Sequence, residues 1–279
     1  PLVVAAAAAA RTSTIEIGTS VILLPLHHPI RVAEDLATLD AIAGGRARLG
    51  VGLGYQPADF DMFGIDASKR VEIFEECMAV LRHCFSGERF SYTGKHYQVE
   101  NVRMTPRPIA QPTPIWIGAW APQAVRRAGA LGDAWVIGPS ASLSDVEPLV
   151  DVYHEAAARA GVKPKLVLMR DGWVANTRRE ADEVYGPEVM TAYQYYWQNR
   201  ALAFQGIESK SAFTLENLAV DRIIMGTPED CVEQLKRWQQ VIGADEVMLR
   251  LRHAHSGGPP HARIMNAIEL FGREVIPAL

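Results

Sequence analysis

The sequence is poor in the features that build disulfide scaffolds, membrane spans or nucleic-acid interfaces. Its 279 residues hold three cysteines, Cys77, Cys84 and Cys231, an odd and low count that provides no disulfide framework. Cys77 and Cys84 stand seven apart in a helical stretch and share a face. Two small buried residues are expected there, ahead of a reactive or metal-binding pair. The most apolar stretch, Pro1 to Ala10, falls short of the roughly 20 residues that cross a bilayer. No basic region precedes it, as one would in a signal peptide. Charge of one sign is also lacking: the formal net charge is -4, with acids and bases mixed along the chain. That argues against nucleic acid as the main partner, because phosphate binding needs a basic face. The chain carries no G-x-S-x-G elbow, P-loop, H-E-x-x-H or paired C-x-x-C. The expectation is a cytoplasmic protein with a small-molecule substrate, without membrane or nucleic-acid partners.

What is present is alternation. Pro1–Arg11 reads as a helix whose alanines suit close packing. Thr14–Leu24 reads as a strand. Pro29–Ala43 has apolar residues at Val32, Leu36, Leu39 and Ile42, a helical period, and Gly44-Gly45 closes it. Ala47–Leu53 is a strand, Ser68–Phe85 an amphipathic helix, and Arg89–Thr105 a hairpin turning at Gly94. Strands at Pro114–Ala119, Ala134–Gly138, Lys165–Ala175 and Glu246–Leu251 alternate with helices at Gln123–Leu131, Asp145–Ala160, Arg178–Tyr185, Pro228–Ile242 and Ala262–Glu274. Six strands followed by helical sequence imply parallel pairing with crossover helices. An open doubly wound sheet and a closed barrel both fit. The chain begins with Pro and enters in mid-element, so an N-terminal part is expected to be missing.

Several segments could carry chemistry. Gly50, Gly52 and Gly54 recur at period two, so one face of that strand lacks side chains. Helix packing and a close ligand explain this equally well. In PIWIGAWAPQAVRRAGALGDAWV a strand ends at Gly118 and a helix starts near Pro122. Free N–H groups at that helix start form a candidate anion site, or the segment is a plain turn. In GTPED, Thr227 caps a helix and Glu229 and Asp230 suit its positive end; those acids would oppose a phosphate, so the segment reads as structural. His253 and His255 alternate and could share a metal, although loop histidines without metal are the simpler expectation. The aromatic run from Tyr185 to Phe213 could cover an apolar substrate, form helix core or build a subunit interface.

Three stretches together resemble the bacterial luciferase-like family of flavin- and deazaflavin-dependent oxidoreductases. They are TSTIEIGTSVILLPLHHPIRVAEDLATLDAIAGGRARLGVGLGYQPADFDMFG, PRPIAQPTPIWIGAWAPQAVRRAGALGDAWV, and the ending from IIMGTPEDCVEQL to EVIPAL. The resemblance implies one (β/α)8 TIM barrel across residues 1–279, its first two strands without counterpart here, with an insertion or lid over residues 176–220. It implies a non-proline cis peptide at Ser20–Val21 under the flavin ring, with Gly52 and Tyr55 beside the cofactor. It places the cofactor phosphate at Gly118, Ala119, Trp120 and Gln123, the same turn as the candidate anion site. Leu53 and Tyr55 stand where specialised members carry an arginine and a glutamate, so neither specialised activity is implied. The family's catalytic residues on the second strand have no counterpart, and no catalytic residue is assigned.

The resemblance implies reduced FMN supplied by a flavin reductase, a monooxygenase reaction on a small organic substrate, and a homodimer. The alternative within the family is hydride transfer with a deazaflavin, whose acidic tail would favour a basic strip beside the pocket. Two further alternatives are a metal-dependent barrel hydrolase built on His253 and His255, and a flavin-binding protein without catalysis.

Overall fold

Ile17 and Ile22 are both buried, yet they do not belong to one continuous strand. In the computed structural model, which describes residues 1–199, 204, 207, 209, 211–253 and 256–279, Thr14–Leu24 holds two short strands, β1 (Ile17–Gly18) and β2 (Ile22–Leu23). The single strand expected there is therefore corrected to two pieces. Contacts group the chain into two compact units. One comprises Pro1–Ala119, Arg127–Val136 and Ala156–Lys163; the other comprises Trp120–Arg126, Ile137–Glu155 and Pro164–Leu279.

In the first unit, α1 (Leu2–Ala9) buries Ala5 and Ala9, one turn apart, and leaves Val3 and Val4 exposed. Its alanine side is the packed side, as its composition implies. Pro29 opens α2 (Pro29–Ala43), and Gly44 ends it in the left-handed conformation at φ 63°. Val32, Leu36 and Leu39 are buried on the expected stripe, but Ile42 faces solvent and Ala43 takes the inner position. Full burial of Leu36 or Leu39 stabilises by roughly 1.5–3 kcal/mol each. The strand β3 (Ala47–Gly52) pairs in parallel with β1 through Ala47 and Arg48 and with β2 through Val51 and Gly52.

After α3 (Pro57–Met62) comes α4 (Arg70–Ser86), which buries Ile73, Phe74, Cys77, Leu81 and Cys84 and stops at Gly87. A hairpin of β4 (Phe90–Thr93) and β5 (Gln98–Val102) follows, antiparallel as expected. The Glu76 carboxylate fastens its turn to α4 by accepting the N–H groups of Lys95, His96 and Tyr97. Next, β6 (Ile115–Ala119) pairs in parallel with β3, setting Gly118 opposite Gly52. Buried Asp40 ties the loop before β6 to the start of β3, accepting N–H groups of Ala47, Ile109 and Ala110 at 3.0, 2.6 and 2.9 Å.

The chain passes between units through α5 (Pro122–Leu131) and β7 (Ala134–Ile137). Beyond α6 (Leu143–Ala160), the second unit is built on β8 (Leu166–Val174), in which every residue but Met169 is buried. The helix α7 (Arg178–Gln198) extends well past the Tyr185 end read from the sequence. Gly186 and Pro187 lie inside it, and Val189, Ala192 and Tyr193 continue the buried stripe past them. After α8 (Leu215–Ala219) lies β9 (Ile224–Gly226), a strand too short to show as a pattern, so the count of six was low. It pairs in parallel with Gly172–Val174.

Thr227 caps α9 (Pro228–Ile242) through a reciprocal capping box with Asp230, confirming the structural reading of GTPED. The last strand, β10 (Glu246–Arg250), pairs in parallel with Val167–Asp171, and α10 (His261–Leu270) follows. Among the described residues, no helix is long and apolar enough to cross a membrane.

Candidate functional site

The first unit gathers the glycines around a bulge. Between the pairs Gly18–Arg48 and Ile22–Val51, residues 19–21 on one side face residues 49 and 50 on the other. That extra residue is a β-bulge. The Ser20–Val21 peptide within it is cis, at the position the resemblance implies. Thr19 locks the bulge in place: its Oγ1 donates to Gly50 O at 2.8 Å and accepts Gly50 N–H at 3.1 Å.

The glycines follow from this geometry. A Cβ at Gly50 would sit 1.9 Å from the Thr19 carbonyl oxygen. One at Gly52 would sit 2.6 Å from Val21 Cγ2, and one at Gly118 would sit 3.1 Å from Val21 Cγ1. Helix packing and a direct ligand were the two explanations the sequence offered for Gly50 and Gly52. The structure supplies a third: the neighbouring strand's bulge presses its backbone and Val21 against them. Ser20 itself is exposed and Val21 half-buried.

Gly54 turns the chain at φ 78° against the buried Phe60 ring. Beyond it Tyr55 is half exposed, and its Oη accepts from Gln56 Nε2 at 3.1 Å. At the end of β6, Trp135 Nε1 donates to Ala119 O at 3.0 Å and fixes that terminus. In the second unit, the Trp120 indole covers Gly138, where a Cβ would come within 2.3 Å of it. Gln123 is exposed in the first turn of α5, whose first N–H groups have no acceptor within the helix. The segments 19–24, 50–63 and 118–125 contain no Lys or Arg, while Asp59 and Asp61 follow Tyr55.

The second unit contains a polar cluster that the sequence only hinted at through His253. Asp171 on β8 is fully buried and is the register partner of Arg250 on β10. Parallel pairing points both side chains to one face, and Arg250 grips the carboxylate twice, at 2.6 and 3.1 Å. From α7, Tyr185 Oη donates to Arg250 O at 2.6 Å, and Tyr196 Oη accepts from Arg250 Nη1 at 3.3 Å. His253 Nε2 lies 3.0 Å from Tyr185 Oη and 3.4 Å from Asp171 Oδ1. Burial, then the Asp171 charge, holds the phenols of Tyr185 and Tyr193 well above their ordinary range.

The aromatic run divides accordingly. Tyr185 and Tyr193 are helix core, Tyr185 stacks on Trp173, and Trp197 stacks on Phe213. Part of the 176–220 lid expectation, including residues 200–203, lies outside the described residues. His255 also lies outside them, so the proposed metal pair is represented by His253 alone. Among the described residues, no group of three metal-ligating side chains forms.

On the opposite face of β8, Arg170 is fully buried. It donates to the carbonyls of Gly138, Pro139 and Ala141 and lies 4.1 Å over the Trp238 ring. Burial pushes its guanidinium down to about 9. The near-continuous apolar run LVLMRDGWV could have flagged both Arg170 and Asp171, since charges inside a buried strand require partners.

The family model for luciferase-like monooxygenases matches residues 1–245. The F420-dependent glucose-6-phosphate dehydrogenase of Microbacterium testaceum is 26% identical over 281 residues, covering 97% of this chain and 80% of that protein. The oxygenase component of the flavin-dependent trigonelline monooxygenase of Acinetobacter baylyi is 24% identical over 286 residues, covering 96% and 77%. The crystal structure of monooxygenase RslO1 from Streptomyces bottropensis superposes with a TM-score of 0.84 at 24% identity, covering 99% of this chain and 82% of that one. These likenesses give the fold as α/β, of the luciferase-like TIM-barrel type. With most of its length matched by the family model, the chain belongs to the luciferase-like monooxygenase family.

Proposed function

We propose that this protein is a flavin-dependent oxidoreductase that uses reduced FMN and oxygen on a small organic substrate. The observation that carries the reading is the Ser20–Val21 bulge on its glycine floor. It packs against Gly52 and Gly118, at the C-terminal ends of β3 and β6, where α/β barrels place their chemistry. Ser20, Val21, Gly52 and Tyr55 would hold the ring. The turn from Gly118 through Ala119 and Trp120 to Gln123 would hold the phosphate, through backbone N–H groups at the start of α5. When bound, reduced FMN supplies the electrons that activate oxygen. The chain's own task is to seat the ring, orient substrate and keep water out. A flavin reductase is the expected partner, since the trigonelline enzyme that resembles this chain is named as an oxygenase component.

A second reading keeps the fold and exchanges the cofactor for a deazaflavin, supported by the dehydrogenase relative. Segments 19–24, 50–63 and 118–125 hold no Lys or Arg, which suits the compact FMN phosphate at the start of α5, while Arg126 and Arg127 just beyond are the cations a longer acidic tail would need to reach. Titration with oxidised FMN, followed by flavin fluorescence, is expected to give micromolar binding. The deazaflavin is expected to bind at least about tenfold more weakly, a gap of about 1.4 kcal/mol. Binding of neither would remove the flavin reading, and selective binding of the deazaflavin would install the second.

A further inference from the structure

The residues that follow β7 form a turn, so no strand or helix satisfies their backbone. Gly138, Pro139 and Ser140 are nevertheless buried, and buried carbonyls need donors. Two buried guanidinium groups supply them to four consecutive residues. Arg170 on β8 donates from Nη2 to Gly138 O at 2.9 Å, and from Nη1 to Pro139 O at 3.2 Å and to Ala141 O. Arg222, just before β9, donates from Nε to Ser140 O at 2.7 Å and from Nη1 to Leu218 O at 3.2 Å. A buried cation is a costly way to fill space, and an apolar side chain of similar volume commonly does as well. Arg170 Nε is even buried without an acceptor among the described residues. What the two arginines give in return is a fixed path for residues 138–141.

That path sets one residue of the phosphate turn. The Trp120 indole lies against Gly138, so closely that a Cβ there would come within 2.3 Å of its Cε2 and Nε1. Trp120 is half-buried and stands just ahead of the N–H groups that open α5. Trp120, the first turn of α5, residues 138–141, Arg170 and Arg222 all belong to the second unit. Resting on the flavin reading above, we propose that Arg170 and Arg222 are positioning residues for the cofactor phosphate. They hold residues 138–141, Gly138 seats the Trp120 indole, and Trp120 sets how the α5 N–H groups meet the phosphate. The consequence is selectivity. Riboflavin has the same ring as FMN and no phosphate, so the clamp acts on FMN and leaves riboflavin alone.

The test uses the full chain as wild type, Arg170→Met, Arg222→Met and Gly138→Ala. Fluorine NMR of protein labelled with fluorotryptophan needs no cofactor, and the signal lost in Trp120→Phe identifies Trp120. That signal is expected to shift in all three variants. Titrations with FMN and with riboflavin then give a ratio of affinities. Since a hydrogen bond to a charged group is worth about tenfold or more, the preference for FMN is expected to fall about tenfold in Arg170→Met and Gly138→Ala, with riboflavin affinity unchanged. Gly138→Ala displaces the indole with both arginines in place, and Arg222→Met answers for the clamp should Arg170→Met not fold. A purely structural loss lowers the folded fraction and weakens both ligands by the same factor, and that result overturns the proposal. So does an unmoved Trp120 signal in the arginine variants. Wild type that takes the deazaflavin and not FMN sinks the flavin reading alone, and the same comparison, between the deazaflavin and its ring with the tail removed, then decides the proposal. Binding of neither cofactor overturns both.

Discussion

At the residue scale, two neighbouring glycines separate stability from binding. Gly50→Ala drives a Cβ to 1.9 Å from a backbone oxygen, and neither Thr19 nor β3 can move without breaking their paired hydrogen bonds. Gly52→Ala meets only the Val21 side chain, at 2.6 Å. Denaturant unfolding is expected to show a loss of about 3 kcal/mol or more for Gly50→Ala and roughly 1–2 kcal/mol for Gly52→Ala. FMN affinity should fall in Gly52→Ala even where the protein remains folded, because Val21 is displaced. Equal stability losses would show that the bulge yields more easily than its hydrogen bonds imply. The three thiols give a second prediction. Burial pushes Cys77 and Cys84 up to about 11 and Cys231 up to about 12. Native protein at pH 7.5 should resist iodoacetamide, and all three should react after unfolding. Rapid native labelling of any one would contradict its burial.

At the element scale, legibility depended on how local the determining physics was. The α2 stripe and Gly44 stop, the hairpin at Gly94 and the Thr227 cap were all readable, because each rests on residues within a few positions of one another. The Thr14–Leu24 bulge was not readable from periodicity, because it is fixed by Gly50, Gly52 and Gly118 on other strands. The Asp171–Arg250 pair joins residues far apart in the chain, so only the puzzle of a charge in an apolar strand was visible. The cap carries a pH prediction. Burial alone would raise the Asp230 carboxyl, but Arg178 and the Thr227 N–H outweigh it and hold the group below its usual value. Its folded pKa is depressed, so its contribution is present above about pH 4, the unfolded value, and fades as pH falls further. Asp230→Asn should cost about 1 kcal/mol at pH 7. The difference from wild type should shrink below about pH 4. Arg178 is mostly exposed, so Arg178→Ala should cost much less. A pH-independent Asp230→Asn effect would assign the loss to packing.

At the scale of the whole molecule, charge gives a test between the two cofactors proposed. The net charge is -4, and the segments proposed for cofactor binding, 19–24, 50–63 and 118–125, contain no Lys or Arg. The FMN phosphate is compact and can be held at the start of α5, where partial positive charge is confined to the first turn. A deazaflavin tail extends beyond that turn and meets the chain's net charge of -4. Repulsion of this kind acts over a Debye length, about 30 Å at 0.01 M salt and about 8 Å at 0.15 M. A deazaflavin with its acidic tail should therefore bind more weakly than the same ring with the tail removed, and added salt should narrow the gap. FMN should instead weaken modestly with salt, since its phosphate is attracted to the helix start. Binding of the tailed form that is tighter than the tailless one at low salt, and weakened by salt, would reveal a cationic strip contributed elsewhere in the chain. That result would favour the hydride-transfer reading over the proposed oxygen chemistry.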